Sequence, residues 1–194
     1  IAPWNYACYL IASKVAPALA AGCTVVLKPA VENALTSVLI AEVMEEAGVP
    51  AGVVNVVVGT PDFGAALVAE HRVASVAFTG STAVGKRIGS VVGERLASTN
   101  LELGGKSAAI VLADADLEAT LRDLPALCFR NSGQTCFAQS RVIATAGIYD
   151  RVVDGLAAWA NAQVLGSAFD DTTTLGPLGT ANQRAVARRE ASDT

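Results

Sequence analysis

Residues 74–103 read ASVAFTGSTAVGKRIGSVVGERLASTNLEL, and this stretch decides the fold. The apolar run from Ala74 to Phe78 predicts a short strand, which the turn Thr79-Gly80-Ser81 ends. Residues Thr82 to Leu96 have the spacing of a helix, and Thr99 to Leu103 predict a second strand. Strands that alternate with helices in this way indicate a parallel sheet, because parallel strands need a crossover connection.

The same alternation continues on both sides of this stretch. Before it we expect helices at Asn5–Ala20, Thr36–Ala47 and Phe63–Glu70, and strands at Thr24–Lys28 and Val53–Val58. After it we expect strands at Ser107–Leu112 and Arg141–Thr145, and helices at Leu117–Phe129 and Tyr149–Val164. Because the strands of the first part are apolar on both faces, the predicted fold class is α/β, with a parallel, Rossmann-like, doubly wound sheet.

The glycine pair Gly104-Gly105 is the expected junction between two domains. It divides the chain into residues 1–104, which hold the predicted sheet, and residues 105–194, which hold the start of a second α/β domain. The final stretch, residues 183–194, is polar and predicts no further element.

Composition and charge exclude several classes of protein. Fourteen basic and eighteen acidic residues give a net charge of −4, and the basic residues are scattered, which argues against a nucleic-acid partner. The longest apolar run, Val15 to Leu27, is interrupted and shorter than the ~20 residues of a spanning helix, so we expect no membrane partner. The four cysteines form no C-x-x-C pair and lack companion histidines, which predicts no metal site. Cys8 and Cys23 lie among apolar residues and are interpreted as buried thiols.

Polar residues and glycines lie at or just beyond the carboxyl ends of the predicted strands. They are Lys28, Gly59, Gly80 and Glu102. Ligands of open α/β sheets bind at the carboxyl edge of the strands, so these four positions predict a ligand site. A second candidate lies in residues 129–136, FRNSGQTC, where Cys136 ends a polar, glycine-containing loop after an apolar helix. A carboxylate base and a cysteine nucleophile are the minimal equipment for covalent chemistry on a carbonyl carbon.

Four segments, in this order along the chain, resemble motifs of the aldehyde dehydrogenase superfamily. They are residues 3–6 (PWNY), 78–82 (FTGST), 101–106 (LELGGK) and 129–136 (FRNSGQTC). Members of that family are much longer than this chain. The resemblance therefore implies an internal fragment, with part of the NAD(P)-binding domain in residues 1–104 and part of the catalytic domain in residues 105–194.

The resemblance implies an oxidation of an aldehyde to a carboxylic acid by NAD(P)⁺. Cys136 corresponds to the nucleophile that forms a thiohemiacetal, and Glu102 to the base that activates the cysteine or the deacylating water. Since branches that transfer the acyl group to coenzyme A commonly lack this carboxylate, Glu102 favours hydrolysis to the free acid. Asn5 corresponds to the amide that binds the oxyanion, although asparagine at a helix start is also a good N-cap.

The resemblance also implies which residues contact the dinucleotide. They are Trp4, Lys28, Glu32, Gly59, Gly80, Ser81 and Leu103. Ser81 and the start of the following helix would meet the pyrophosphate. The sequence departs from one common pattern, in which a glutamate three residues after the lysine binds both ribose hydroxyls. Here Val31 holds that position and Glu32 follows it, so the expected cofactor is NAD, with NADP possible.

Two alternatives stay open. Residues 80–86, GSTAVGK, nearly satisfy the ATP-binding pattern G-x-x-x-x-G-K-[ST], but Arg87 replaces the hydroxyl residue that ligates magnesium. The chain could also be an inactive piece of the enzyme. For Lys14, a position near the active site of the family and a solvated helical lysine are both open.

We expect a small aldehyde as partner, a homo-oligomer at full length, and a cytoplasmic location.

Overall fold

Parallel strand pairs form the frame of the protein in the computed structural model, which describes residues 1–192. β1 (Val25–Leu27) pairs with β2 (Val54–Val56), β3 (Ser75–Gly80) with β4 (Ser98–Leu103), and β5 (Ala108–Val111) with β6 (Arg141–Ala144). The α/β class with parallel strands, predicted from the alternating pattern, is confirmed.

The chain divides into two compact units, Ile1–Gly104 and Gly105–Thr194. The last two residues of the predicted second domain, 193 and 194, lie outside the described residues.

Six helices of the described residues lie close to their predicted positions, and the last one was not predicted. They are α1 (Ala7–Ala20), α2 (Ala34–Glu46), α3 (Pro61–Ala69), α4 (Thr82–Glu94), α5 (Leu117–Cys128), α6 (Tyr149–Asn161) and α7 (Ala181–Ser192). Short 3₁₀ turns cover Val31–Asn33 and Ala146–Ile148, and a turn with left-handed residues covers Arg130–Gly133.

The expectation of no element in residues 183–194 was wrong, because α7 occupies most of them. This helix has no buried residue, so it lacks the apolar stripe by which helices are recognised in a sequence. It begins where the Gln183 amide donates to Thr180 Oγ1, and Glu190 forms an ion pair with Lys106 at 3.2 Å.

The two strand pairs of the first unit are joined by Ile1 and Ala2, which the sequence did not indicate. The amino group of Ile1 donates to the Ala77 carbonyl and the Thr79 amide donates to the Ile1 carbonyl, on the side of β3. The Ala2 amide donates to the Lys28 carbonyl on the side of β1. Within the described residues β1–β2 and β3–β4 are therefore separate pairs, which these two residues bridge.

Helices cover β3 on both faces, as a doubly wound arrangement requires. On one face, Phe78 packs with Ile88 and Val92 of α4 in a buried cluster. On the other face, Lys14 of α1 donates to Thr79 Oγ1 at 2.5 Å. Successive residues of a strand point to opposite faces, which places Phe78 and Thr79 against different helices.

Close approach of α4 to β4 depends on a glycine. Gly85 is buried, and a Cβ atom there would lie 2.4 Å from Leu103 Cδ2. A Cβ atom on Gly80 would likewise lie 2.4 Å from Cζ of the buried Phe78 ring. Both glycines of the GSTAVGK segment are thus explained by packing of side chains against the backbone.

A matched pair of substitutions in α4 tests this packing. Gly85→Ala should lower the free energy of unfolding by about 1–3 kcal/mol, because Leu103 must leave its position. Gly93→Ala should raise it by about 0.5–1 kcal/mol, because nothing lies within 4 Å of the added methyl and alanine favours the helix. Urea unfolding monitored by circular dichroism measures both values, and equal shifts for the two variants would contradict the packing role of Gly85.

The second unit has its own small core, in which Val111 of β5 and Leu117 of α5 pack with Val152 of α6. Beside this core the rings of Phe129 and Trp159 stack with centroids 4.8 Å apart. Ile110 and Ile143 are exposed on β5 and β6, so within the described residues only one face of this strand pair is covered. None of the helices in residues 1–192 has the length and apolar character needed to cross a bilayer.

Candidate active site

Lys28 lies at the carboxyl end of β1 and is buried, with 8% of its surface exposed. The methylene groups of its side chain cross Gly64 of α3, where an added Cβ would lie 3.2 Å from Lys28 Cδ. Among the described residues its ammonium makes one hydrogen bond, to the Pro29 carbonyl at 3.1 Å. A buried ammonium with three donors and one protein acceptor can donate further hydrogen bonds to a ligand.

Gly59 and Glu32 lie near this lysine along the chain and differ in their surroundings. Gly59 precedes the Thr60 N-cap of α3, and a Cβ atom on it would lie 2.8 Å from the Phe63 ring. Glu32 is exposed in the 3₁₀ turn after β1, beside Val31, of which 57% is exposed. The side chains of Val31 and Glu32 therefore do not pack into the core.

Ser81 is the N-cap of α4, and its Oγ accepts from the Val84 amide at 3.4 Å. Gly80 ends β3, so a single residue separates the strand from the helix. Lys86 lies inside α4, and the Gly85 amide is already bonded to the Ser81 carbonyl. The open loop that surrounds phosphates in ATP-binding proteins of this pattern is therefore not formed, and the ATP-binding interpretation loses its structural basis.

The segment Pro3-Trp4-Asn5 is held by Asn33, which sequence reasoning missed. The Asn33 side-chain amide donates to the carbonyls of Pro3 and Trp4 at 2.9 and 2.7 Å. Tyr6 rather than Asn5 is the N-cap of α1, with a left-handed backbone (φ 48°). The possibility of Asn5 as the N-cap was therefore wrong, because the helix begins one residue later than that role requires. Asn33 precedes a helix, so its sequence signal was that of an ordinary cap.

Glu102 and Thr79 are register partners across β4 and β3. Leu103 lies next to Gly85 of α4, so Glu102, one residue earlier, points to the opposite face of the strand. Lys14 of α1 reaches Thr79 from that face and is half-buried, so it is not a solvated helical lysine. Glu102 is exposed within the described residues, because α4 covers the other face of β4.

Cys136 lies in the second unit, in an exposed loop that follows α5. Three successive residues of this loop, Asn131, Ser132 and Gly133, have left-handed backbones with φ of 54°, 56° and 76°. Gly133 therefore supplies the conformation for which glycine is suited. The Cys136 thiol is exposed, so a reactant can reach it.

The other cysteines differ from Cys136 in position. Cys128 is buried, its thiol donates to the Gln139 carbonyl at 3.1 Å, and burial raises its pKa. The prediction of buried thiols at Cys8 and Cys23 was wrong, since both are exposed. Apolar residues near them, Tyr9 on α1 and Val26 on β1, also lie at the surface.

Each unit thus contributes a separate set of groups. The first unit brings Lys28, the start of α4 and the Pro3–Asn5 segment to the carboxyl ends of its strands, together with Glu102 and Leu103. The second unit presents one accessible thiol in a polar loop. Donors and a helix N-terminus suit an anionic, hydroxyl-bearing ligand, whereas a thiol suits attack on an electrophilic carbon.

Comparison with known proteins finds proteins of similar sequence and structure. The family model described as the aldehyde dehydrogenase family matches residues 1–193. Geranial dehydrogenase of Castellaniella defragrans is 48% identical over 189 residues, which are 97% of this chain and 40% of that protein. The succinate-semialdehyde dehydrogenase [NADP(+)] GabD of Escherichia coli is 40% identical over 191 residues, covering 98% of this chain and 39% of that protein.

Among solved structures, the NAD⁺ complex of aldehyde dehydrogenase from Bacillus cereus superposes with a TM-score of 0.94 and 42% identity. The match covers 97% of this chain and 39% of that chain. The chain therefore spans about two fifths of the length of the relatives it matches.

Proposed function

Because the chain belongs to the aldehyde dehydrogenase family, we propose that the full-length protein oxidises an aldehyde to a carboxylic acid with NAD(P)⁺. The observation that carries this proposal is the exposed thiol of Cys136 in the loop that resembles the nucleophile motif of the family. Reduced cofactor formed when the full-length protein receives NAD⁺ or NADP⁺ and a panel of aldehydes is the direct test. No reduced cofactor with any aldehyde of the panel would contradict the proposal.

In the proposed reaction the Cys136 thiol loses its proton to solvent, its sulfur bonds to the aldehyde carbon, and the carbonyl π electrons move to the oxygen. Asn5 and backbone N–H groups stabilise the resulting oxyanion, an interaction whose loss typically costs about 3 kcal/mol. When bound, NAD(P)⁺ supplies the acceptor for the hydride that leaves this carbon, which becomes a thioester. Glu102 then takes a proton from water, the oxygen of the water bonds to the acyl carbon, and the carbon–sulfur bond breaks. The leaving sulfur takes the proton from Glu102, so the acid and the thiol are released and the carboxylate is restored.

The groups at the carboxyl edge of the first unit fit the dinucleotide. We assign the adenosine ribose hydroxyls to the buried ammonium of Lys28 and to Glu32, and the pyrophosphate to Ser81 and the start of α4. Gly59 and Gly80 allow the backbone to approach the cofactor, and Trp4 and Leu103 complete its apolar contacts. The unused donors of Lys28 support this assignment, because a ligand would satisfy them.

Val31, three residues after Lys28, should determine whether the enzyme prefers NAD or NADP. Val31 is 57% exposed and cannot accept hydrogen bonds from ribose hydroxyls. Both cofactors occur among the similar proteins, since one relative is named for NADP and one structure holds NAD⁺. We propose NAD as the preferred cofactor, because within the described first unit no further arginine or lysine joins Lys28 in the Val31–Asn33 turn.

Val31→Glu should raise the NAD over NADP ratio of kcat/KM by about tenfold. The gain should come from rejection of NADP, because a carboxylate facing a 2′-phosphate places like charges together, at ~1 kcal/mol or more for a pair 4 Å apart. Val31→Gln is the matched control, since it adds an acceptor without charge and should shift the ratio less. A flat ratio in Val31→Glu would show that Glu32 already performs this discrimination.

Three further expectations belong to the same proposal. We propose a cytoplasmic location, because all four cysteines carry free thiols and the cytoplasm is a reducing environment. The exposed apolar residues Leu35, Leu39 and Val43 of α2 support a contact surface for a homo-oligomer. The small aldehyde partner follows from the family, and residues 1–194 alone, which span about two fifths of the relatives, are proposed to be inactive.

A further inference from the structure

Two side chains of the Cys136 loop are fastened to a distant part of the second unit. Ser132 Oγ donates to the Gly176 carbonyl at 2.9 Å. The Gly179 amide donates to Gln134 Oε1 at 2.6 Å. These contacts cross 44 and 45 positions of sequence and end on one four-residue segment, Gly176–Gly179.

The backbone of residues 131–133 in this loop has a conformation that surrounding contacts must stabilise. Asn131 and Ser132 are left-handed although neither is glycine, and Gly133 continues the same conformation. Left-handed non-glycine residues are disfavoured, and they persist where the surrounding contacts determine the conformation. Ser132 is one of these residues, so its hydroxyl bond acts on the strained part of the loop itself.

Gln134 joins this turn to the Gly176–Gly179 segment. Its Oε1 accepts from Gly179, while its Nε2 donates to the Asn131 carbonyl at 3.0 Å. Its own backbone amide also donates to the Asn131 carbonyl, at 3.1 Å, and its backbone carbonyl accepts from Asn131 Nδ2 at 3.3 Å. One side chain therefore closes the left-handed turn and attaches it to the segment at the same time.

The Gly176–Gly179 segment is itself held at both ends. Before it, the amides of Thr174 and Leu175 donate to the Val164 carbonyl at 3.0 and 3.2 Å, next to the isolated bridge between Leu165 and Leu175. After it, Thr180 Oγ1 accepts from the Gln183 amide and caps α7. The segment is thus a fixed support rather than a loose neighbour of the loop.

We propose that Ser132 and Gln134 are positioning residues that hold Cys136 in its reactive position by fastening its loop to the Gly176–Gly179 segment. The inference rests on the proposed role of Cys136 as nucleophile. Neither side chain needs to touch the aldehyde or the cofactor for this role. A displacement of about 1 Å at a reacting atom is enough to slow a reaction on the order of 100-fold, so a fastening two residues before the nucleophile affects the rate.

Hydrogen exchange at single amides tests the fastening without any catalysis. In the full-length protein, Gln134→Ala should raise the exchange rate of the Gly179 amide and of residues 131–136 by at least about tenfold, because the acceptor of that amide is lost. Gln134→Glu keeps an acceptor for Gly179 but no donor for Asn131, so it should raise exchange in residues 131–136 and leave Gly179 protected. This second variant keeps the test informative if Gln134→Ala folds poorly.

Kinetics test whether the fastening positions the nucleophile. Gln134→Ala and Ser132→Ala should each lower kcat by about tenfold or more, which corresponds to about 1.4 kcal/mol, with KM for NAD⁺ within about twofold of the parent. Ser132→Gly also lacks the hydroxyl but adopts the left-handed backbone freely, so its loss should be smaller than that of Ser132→Ala. Gln163→Ala and Ser192→Ala are matched controls, because each removes a 2.7 Å side-chain bond to a helix carbonyl, that of Trp159 or of Arg189, outside the Cys136 loop.

The outcomes separate the two proposals. Faster exchange with a lower kcat in the Ser132 and Gln134 variants, and neither in the controls, supports the positioning role. Unchanged exchange at Gly179 in Gln134→Ala, or faster exchange with an unchanged kcat, overturns it. A Cys136→Ala protein that still oxidises aldehydes would instead contradict the proposed function, and the exchange results would stand independently of it.

Discussion

Cys136→Ala is expected to abolish aldehyde oxidation by the full-length protein while dinucleotide binding stays nearly unchanged. Without the sulfur no covalent adduct forms, so no carbon is in position to release a hydride. Loss of a catalytic nucleophile costs several orders of magnitude in kcat, on the order of 10⁶ in a well-studied case. Binding should survive because the residues assigned to the dinucleotide all lie in the Ile1–Gly104 unit, whereas Cys136 lies in the other.

Stopped-flow absorbance of the reduced cofactor measures the effect, and calorimetric titration with NAD⁺ measures binding. Cys8→Ser and Cys23→Ser are matched controls, because both thiols are exposed like that of Cys136 yet lie outside its loop. They should retain the activity of the parent. An undiminished burst of reduced cofactor in Cys136→Ala would rule out this cysteine as the nucleophile.

The sequence predicted those parts of the fold that repeat a local pattern. The alternation of apolar runs and helices located β3, α4 and β4 to within about two residues, because each has a clear period and a clear stop. Thr60 and Ser81 begin α3 and α4 as side-chain caps, so helix starts also have a local signal. The positions Lys28 and Gly59 followed from strand ends, which share one edge in a parallel arrangement.

The features that the sequence did not predict depend mainly on contacts between residues far apart in the chain. Ile1 and Ala2 bridge β3 and β1 through backbone hydrogen bonds, which leave no pattern in two residues of sequence. The supports of Trp4 and of Gln134 come from Asn33 and Gly179, which are 29 and 45 positions away. Helix α7 lacks an apolar stripe, and the exposure of Glu102 depends on which face of β4 is covered. Such features need the coordinates of both partners.

The surroundings of Glu102 suit a base that acts on water. It lies one residue before the end of β4 and beside Thr79, with its side chain on the face opposite to α4, and it is exposed within the described residues. An exposed carboxylate can exchange protons with water, while its neighbours Leu101 and Leu103 anchor the strand against α4. We therefore propose that Glu102 serves deacylation, the step in which water enters.

Glu102→Gln should lower the steady-state rate by about 10²- to 10⁴-fold, or about 3–5 kcal/mol, because the amide cannot take a proton from water. The first turnover forms the thioester before this step, so a burst of reduced cofactor should persist and be followed by a slow phase. Affinity for NAD⁺ should change little, since the amide keeps the size of the carboxylate. Glu42→Gln, a change at an exposed position of α2, is the matched control and should retain the parent rate. Equal steady-state rates for Glu102→Gln and the parent at every pH around neutrality would exclude Glu102 as the base.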